Sequence, residues 1–532
     1  MTVYVPEEFS SDEADVLRRY FTNLDGPVFA LVNLPEVVKG ALFARYSRSP
    51  KSLRRLFLDE FVNDLDIEGD ESIDATIGLE RAEDLYEKVF LEYGDDSVAQ
   101  LGGVHLACEQ SSNIMTKILE WGRLMSYLEQ STRYISYDSR LGGRYRFFRD
   151  PDVLASSLGT RYVGDMDRIF DAYSTAVNTV TNHVRDTVAR DPDDSEFVYR
   201  QATRAKALDA TRGMLPAASL SNLGIYGTGQ AFESLLMRMR AHPLPEARHY
   251  SDLMLHELRK VIPSFLRRVD IAERGGQWSE YLSTTRTDTS ELVQQLFGAV
   301  PTELAPEVSL VDFDPDAERK LLAAICYSHS HLSESTLLDR VERLGSDEKV
   351  ALIRSYIGDR VNRRHKPGRA FERIDYRFDV LSDYGAFRDL QRHRMLTIEW
   401  QTLTPNHGYA RPDLIESSGL GPLFDDVMDR SARLYDAMRP QFPEQASYAV
   451  VMAYRLRYVM QFNAREAMHM LELRSAPQGH PSYRRVALEM HRLIADEAGH
   501  HAIAEAMSHM TTKAPELERL ASERQAESRR GV

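Results

Sequence analysis

The stretch LQRHRMLTIEWQTLTPNHGY, Leu390 to Tyr409, and the Pro-free segment Tyr448 to Arg474 that follows it decide the reading of this chain. Arg392, His393 and Arg394 set two guanidinium forks and an imidazole side by side. That density of donors suits a phosphate or an electron-rich ring better than a packed core. The later segment ends in QFNAREAMHMLELR, Gln461 to Arg474. Its apolar residues Tyr448, Met452, Leu456, Val459, Met460, Ala467 and Leu471 predict one continuous helix with a single buried stripe. On such a helix Asn463 and Arg474 share a face about three turns, or roughly 16 Å, apart.

Together these motifs resemble the flavin-dependent thymidylate synthases, also called thymidylate synthase complementing proteins. In that family an Arg-His-Arg run opens a signature that continues through a Ser, a Glu, a second Ser and an Arg-Tyr pair. An Asn-Ala-Arg helix ending in Leu-Arg closes the site. Here Arg392-His393-Arg394, Asn463-Ala464-Arg465 and Leu473-Arg474 occur in that order, but Thr397, Trp400, Thr402, Thr404 and Pro405 stand where the signature should continue.

The missing half occurs earlier, in EWGRLMSYLEQSTRYISYDSR from Glu120. There Arg123, Ser126, Glu129, Ser131, Arg133 and Tyr134 keep the family spacing, while Trp121 and Gly122 replace the first two letters and Leu128 an Asn. Ala210 to Pro216, ATRGMLP, looks like the family's Arg-x-x-Leu-Pro turn, with Ala446 as the later counterpart of Arg212. Gly229 to Arg240 aligns without a gap on Asn463 to Arg474, placing Arg240 opposite Arg474.

This motif order predicts a tandem duplication. The expected fold is α+β and helix-dominated, two thymidylate synthase-like domains at 1–285 and 286–515, each with a small antiparallel sheet and long helices, then a solvated polar tail at 516–532. A connector rich in Thr, Ser, Pro and Asp joins them between Gly275 and Asp316. Helical periodicity predicts helices over Leu79 to Leu91 and Ala107 to Gln130. The alternation of Ile374, Tyr376, Phe378 and Val380 predicts a strand within Phe371 to Leu381.

The resemblance implies reductive methylation of deoxyuridylate at carbon-5, with methylenetetrahydrofolate as carbon donor and NADPH as the reductant of a bound FAD. Arg392, His393, Arg394, Asn463, Arg465 and His469 would hold the FAD. Glu129, Ser131, Arg133 and Arg212 would bind the nucleotide, with Arg474 over the uracil as the catalytic cation. One copy keeps the flavin group and the other the nucleotide group, which implies a composite site from the two halves. The same resemblance implies a homodimer that reproduces a tetramer of single domains.

Two other classes stay open: a relative that binds flavin or nucleotide without synthase activity, and a helical di-metal carboxylate protein. The second rests on two Glu-x-x-His pairs, Glu466 with His469 and Glu497 with His500, the pattern of di-iron bundles. No further carboxylates are marked, so no metal ligand is assigned.

A formal charge of −15 argues against a general nucleic-acid binder, whose affinity needs a basic face. It leaves room for a small anion held by local arginines. No apolar run approaches the roughly 20 residues of a membrane span. The acidic start lacks the pattern of a signal peptide, and Cys108 and Cys326 have no metal-like spacing. A cytoplasmic location is the expectation.

Overall fold

The computed structural model describes residues 4–34, 36–62, 102–301, 305–513 and 515–530. The helix expected over Leu79 to Leu91 lies outside them. Among the described residues, eight strands form two four-stranded antiparallel sheets. The first comprises β1 (Val28–Leu31), β2 (Gly103–Ser112), β3 (Met125–Glu129) and β4 (Leu220–Thr228) in the order β1-β2-β4-β3. The second comprises β5 (Val308–Phe313), β6 (Asp375–Asp383), β7 (Thr397–Trp400) and β8 (Arg455–Asn463) in the order β5-β6-β8-β7. Identical strand order, embedded in helices, establishes the tandem α+β architecture.

Two of the helices predicted from periodicity are helical only in part. Ala107 to Gln130 is strand β2, a short helix Asn113–Leu119 and strand β3. Tyr448 to Arg474 is a 3-10 turn Gln445–Ala449, strand β8 and the helix Ala464–Arg474. Over β8, Leu456, Tyr458, Met460 and Phe462 are buried while Arg455, Arg457, Val459 and Gln461 are half-buried, a period of two that sits inside the apparent helical stripe. Pairing with β6 on one side and β7 on the other overrides the local helical pattern. The strand expected around Ile374 to Val380 is present as β6.

In both sheets the central strand runs straight into a helix. Thr228 caps Gly229–Arg240 by accepting from Ala231 N at 3.3 Å, and Asn463 caps Ala464–Arg474 by accepting from Glu466 N at 2.9 Å. This overturns the gapless alignment of Gly229 with Asn463. Gly103 faces Thr228 across β2 and β4 as Asp375 faces Asn463 across β6 and β8, so the copies match one residue earlier. Met239, not Arg240, therefore stands where Arg474 stands. Arg240 instead makes an ion pair with Asp252 at 2.7 Å.

The chain packs as two compact units. One contains Met1–Ser174, Leu215–Thr302 and Asp429–Val450; the other contains Thr175–Met214, Glu303–Met428 and Val451–Val532. Neither is a continuous stretch, whereas a division at 285/286 follows sequence order alone. The first unit holds the first sheet, with Leu17, Phe29, Tyr46, Leu53, Leu56 and Phe57 fully enclosed beside it. The second unit holds the second sheet together with the helix Glu196–Thr211 from the N-terminal half of the sequence.

The polar tail is not frayed. It forms the helix Leu520–Arg530, which packs on Glu196–Thr211 through Arg524 to Asp194 at 2.5 Å and Ser195 to Glu527 at 2.5 Å. Just ahead of it, Arg519 pairs with the buried Asp209 at 3.1 Å. Charge was the wrong guide because its partners lie far away in sequence.

If β8 is a strand, its two faces respond differently to truncation. Phe462 is buried and stacks on Phe378 at 5.5 Å, so Phe462→Ala should cost about 3–5 kcal/mol. Gln461→Ala on the opposite face should cost about 0.5 kcal/mol, the loss of one half-exposed bond from Arg377. Denaturant unfolding of the two variants checks both figures.

Candidate functional site

The second unit gathers most of the residues singled out in the sequence. The short helix Tyr384–Leu390, capped by Asp383 through Ala386 N at 2.9 Å, brings Asp389 and then the Arg-His-Arg turn to the end of β7. The helix Ala464–Arg474 faces that turn. His393 is buried between the two, 7% exposed, while Arg392 and Arg394 on either side are exposed.

Both nitrogens of His393 are committed. Arg474 Nε donates to Nε2 at 2.9 Å, and Nδ1 meets Glu466 Oε1 at 3.0 Å. Because an arginine can only donate, Nε2 carries the lone pair and Nδ1 the proton. Burial, reinforced by Arg474 and His469, pushes His393 well below the usual histidine range and keeps it neutral. Burial likewise raises the Glu466 carboxyl to about 7. A hydrogen-bonded chain Arg474 to His393 to Glu466 results.

Arg474 also reaches Asp389 Oδ1 at 3.8 Å, and Arg212 Nη1 reaches Asp389 Oδ2 at 3.1 Å. Two arginines read from opposite halves of the sequence thus converge on one carboxylate within one compact unit. Arg212 is 3% exposed, and its Nη2 is buried with no hydrogen-bond partner. It lines a cavity of about 460 Å³ that Lys206, His480, Ser482 and Arg485 also line. Gly385 lies against this guanidinium: a Cβ there would stand 3.2 Å from Arg212 Nε and 2.9 Å from Asp383 Oδ1.

The other residues are placed as follows. Asn463 uses its side-chain oxygen as the helix cap. Arg465 donates to Pro367 O at 3.0 Å and lies 3.4 Å from Glu372. His469 presents its ring to His393, centroids 5.5 Å apart, and burial with Lys366 and Arg363 nearby lowers it to about 4. Glu129, Ser131 and Arg133 lie in the first unit, at and just after the end of β3. The Glu129 carboxylate is enclosed, accepting from Thr116 at 3.0 Å, Ser221 at 3.2 Å and Lys117 at 3.1 Å. Ser131 Oγ accepts from Arg133 N at 3.3 Å.

Asp389 and Gly385 escaped the sequence reading. Only the short spacing from Asp389 to the Arg-His-Arg run marked it, and nothing in sequence pairs it with Arg212.

The two Glu-x-x-His pairs do not converge. The helix Pro481–Asp496 ends before Glu497, and Gly499 at φ +70° turns the chain, so Glu497 is exposed while His500 is buried against Tyr376 Oη at 2.9 Å. Among the described residues, His393, Glu466 and His469 bring ligand atoms within 4.8 Å of one another. A metal on His393 Nδ1 would move the proton to Nε2 and set it against the Arg474 N–H.

The fold is a repeated α+β unit, and arginines from both halves of the sequence meet at Asp389. The profile described as thymidylate synthase complementing protein matches residues 42–264 and 309–498, and the chain belongs to that family. A UPF0159 protein from Chlamydia muridarum is 39% identical over 91% of this chain and 92% of its own length. A second, UPF0159 protein Ta1429 from Thermoplasma acidophilum, is 31% identical over 91% of this chain and 97% of its own. Among solved structures, a UMP/dUMP methylase PolB from Streptomyces cacaoi bound with 5-Br dUMP shares 20% identity, with 37% of this chain and 94% of that chain covered at a TM-score of 0.29.

The raised Glu466 gives a pH signature. Its folded state keeps the proton from the ordinary carboxyl range up to about pH 7, so the Glu466 contribution to stability falls as pH rises from about 4.5 to 7, against the rise that the lowered His393 and His469 contribute over the lower part of that window. At about 1.4 kcal/mol per pH unit the fall is on the order of 3 kcal/mol. Glu466→Gln, which still accepts from His393 Nδ1, should remove that contribution, so that urea unfolding across this range shows the variant's stability rising more steeply with pH than the wild type's.

Proposed function

We propose that this chain is a flavin-dependent thymidylate synthase-like enzyme that methylates deoxyuridylate at carbon-5, taking carbon from methylenetetrahydrofolate and reducing equivalents from NADPH through FAD. The observation that carries this reading is the convergence of Arg212 and Arg474 on Asp389, with one buried Arg212 donor unused. A donor buried without a partner is costly. Arg212 lines the cavity, where the oxygens of a nucleotide would meet its guanidinium, and the membership of the thymidylate synthase complementing family supports that ligand.

The residues around the Arg-His-Arg turn fit a flavin dinucleotide. Exposed Arg392 and Arg394 flank His393, and Lys366, Arg363 and Arg465 raise the local positive potential that depresses His469. Such a field suits a diphosphate. Bound FAD would supply hydride chemistry to the site. Asn463 and His469 would meet it from the helix Ala464–Arg474.

The chain's own contribution is electrostatic and positional. Arg474, held by His393 Nε2 at 2.9 Å, would meet the uracil carbonyls and stabilise the negative charge that develops on the ring. Asp389 spaces Arg474 from Arg212, so that one guanidinium addresses the base and the other the phosphate or sugar. Glu466 fixes the tautomer that keeps Arg474 in place. Arg212 and Arg474, from the two sequence halves, both lie in the second unit, whereas Glu129, Ser131 and Arg133 lie in the first.

Visible absorption of the purified protein with added FAD tests the reading first: about one flavin per chain is expected, lost in Arg394→Ala. Deoxyuridylate should then perturb the flavin spectrum, and Arg212→Ala should weaken that response about tenfold or more, the loss of a charge-assisted bond of roughly 1.5–3 kcal/mol. Gly385→Ala, which crowds the same guanidinium, should weaken nucleotide without releasing flavin. Absence of flavin binding removes the enzyme reading; flavin and nucleotide binding without turnover leaves a binding relative.

A further inference from the structure

The first unit holds a cavity of about 400 Å³ that neither the flavin nor the nucleotide reading uses. Strand β2 shapes it by breaking register. Its pairing with β4 shifts between Cys108 and Ser111, and Gln110 sits there at φ +55°, a left-handed conformation that residues other than glycine adopt only at a cost. The Gln110 side chain grips the N-terminal segment: Val5 N donates to its Oε1 at 3.2 Å, and its Nε2 donates to Val5 O at 3.1 Å. Gln110 N donates to Asn222 Oδ1 at 2.9 Å. The strained residue thus holds Tyr4 to Glu7 in place as one wall of the cavity.

The charges in the walls do not balance. The Glu109 carboxylate is committed to Arg54 at 3.2 Å, to the Tyr46 and Tyr4 hydroxyls at 3.1 Å each and to Leu53 N at 2.9 Å. Glu7 is held by Arg55 at 2.7 Å, and Lys51 is matched by Asp59 at 2.7 Å. Arg146, 8% exposed, has no such partner. Among the described residues its Nη2 donates to Ser136 O, its guanidinium lies over the Tyr137 ring at 4.4 Å, and its Nε is buried without a hydrogen bond. Arg144 and Arg149 line an adjoining recess together with Arg146, and among the described residues neither pairs with a carboxylate. Arg149 gives Nη1 to Tyr145 O at 3.0 Å and Phe147 O at 3.1 Å, and burial draws it below the usual arginine range. Cations withdrawn from water without a counter-charge leave a positive potential that an anion would satisfy.

We propose that this cavity binds an organic phosphate of nucleotide size, its phosphate taken by Arg144, Arg146 and Arg149. Three guanidiniums around one recess suit the several oxygens of a phosphate dianion, whereas a single fork already satisfies a carboxylate. Asn222 Nδ2, which makes no hydrogen bond among the described residues, offers a donor to the body of the ligand, and Pro6, Pro50 and Leu220 offer it apolar walls. The volume lies in the range of small-molecule sites, roughly 300–1,000 Å³. Ser131 and Arg133, which the family resemblance gives to the substrate nucleotide, do not line this cavity. The site therefore stands whether or not the second unit carries the synthase chemistry.

Amide hydrogen exchange of the full chain, read at the peptide that covers Tyr4 to Glu7, tests this at the cavity wall itself. Uridine 5′-monophosphate should slow exchange there, and inorganic phosphate, which lacks the body, should need about tenfold more or higher for the same protection. Citrate at matched concentration should give none. Arg146→Gln should abolish the protection. Two variants guard against a fold defect: Asn222→Asp keeps the acceptor for Gln110 N, and Leu141 at the cavity wall is 36% exposed, so Leu141→Glu disturbs no core. Each sets a negative charge against the phosphate and should raise the half-saturating uridylate concentration about tenfold or more with thermal melting unchanged. No protection by uridylate, equal potency of inorganic phosphate or citrate, or unaltered protection in Asn222→Asp and Leu141→Glu overturns the proposal.

Discussion

One neutral imidazole organises the second unit. Because His393 has both nitrogens committed, its ring cannot rotate without releasing either Arg474 or Glu466, and the turn that carries it is fixed to the helix that faces it. Burial supplies the reason it stays neutral, since charging it would place a further cation beside Arg474. The exposed Arg392 and Arg394 are then presented outward as a matter of geometry, and Asp389, in the helix just ahead of the turn, is set where two arginines reach it. The polar network substitutes for the apolar contacts that would otherwise hold a loop of this kind.

The two copies of the fold have diverged in complementary ways. At the positions where the second sheet carries Asn463, Arg465, Glu466, His469 and Arg474, the first carries Thr228, Gln230, Ala231, Ser234 and Met239. The strand order and the capped helix survive while the chemistry is gone. In its place Arg238 lies over the Trp121 ring at 5.2 Å, and Lys117 and Glu129 form an enclosed ion pair. Such interiors stabilise a scaffold; the exposed cations of the Arg-His-Arg turn and the unpartnered Arg212 donor belong to the other unit.

Much of this was legible in the sequence because the motif letters sit at fixed spacing: Arg392 to Arg394 and Asn463 to Arg474 announced a repeat and a helix that the structure contains. What was illegible depended on distance along the chain. The alternation of β8 is masked by Val459 and by flanking apolar residues that also satisfy a helical period, and only the neighbours β6 and β7 decide between them. The one-residue offset between copies shows only through strand pairing. Asp389 is an ordinary acidic residue until Arg212, a long way back in sequence, is placed against it. The tail looked like a solvated end because Asp194 and Asp209 are equally remote.

The membership of Thr175–Met214 in the second unit sets a schedule for synthesis. This segment leaves the ribosome long before Val451–Val532, the stretch with β8 and the tail helix that complete its surroundings. At roughly 5–20 residues per second the interval is on the order of tens of seconds. During it the helix Glu196–Thr211, with Val198, Ala202 and Leu208 buried in the finished fold, lacks the tail helix that packs on it. The nascent chain thus carries a partly covered helix through nearly half its translation, and a ribosome that stalls in the second copy yields a product in which the completed first half holds a segment that lacks its later partners.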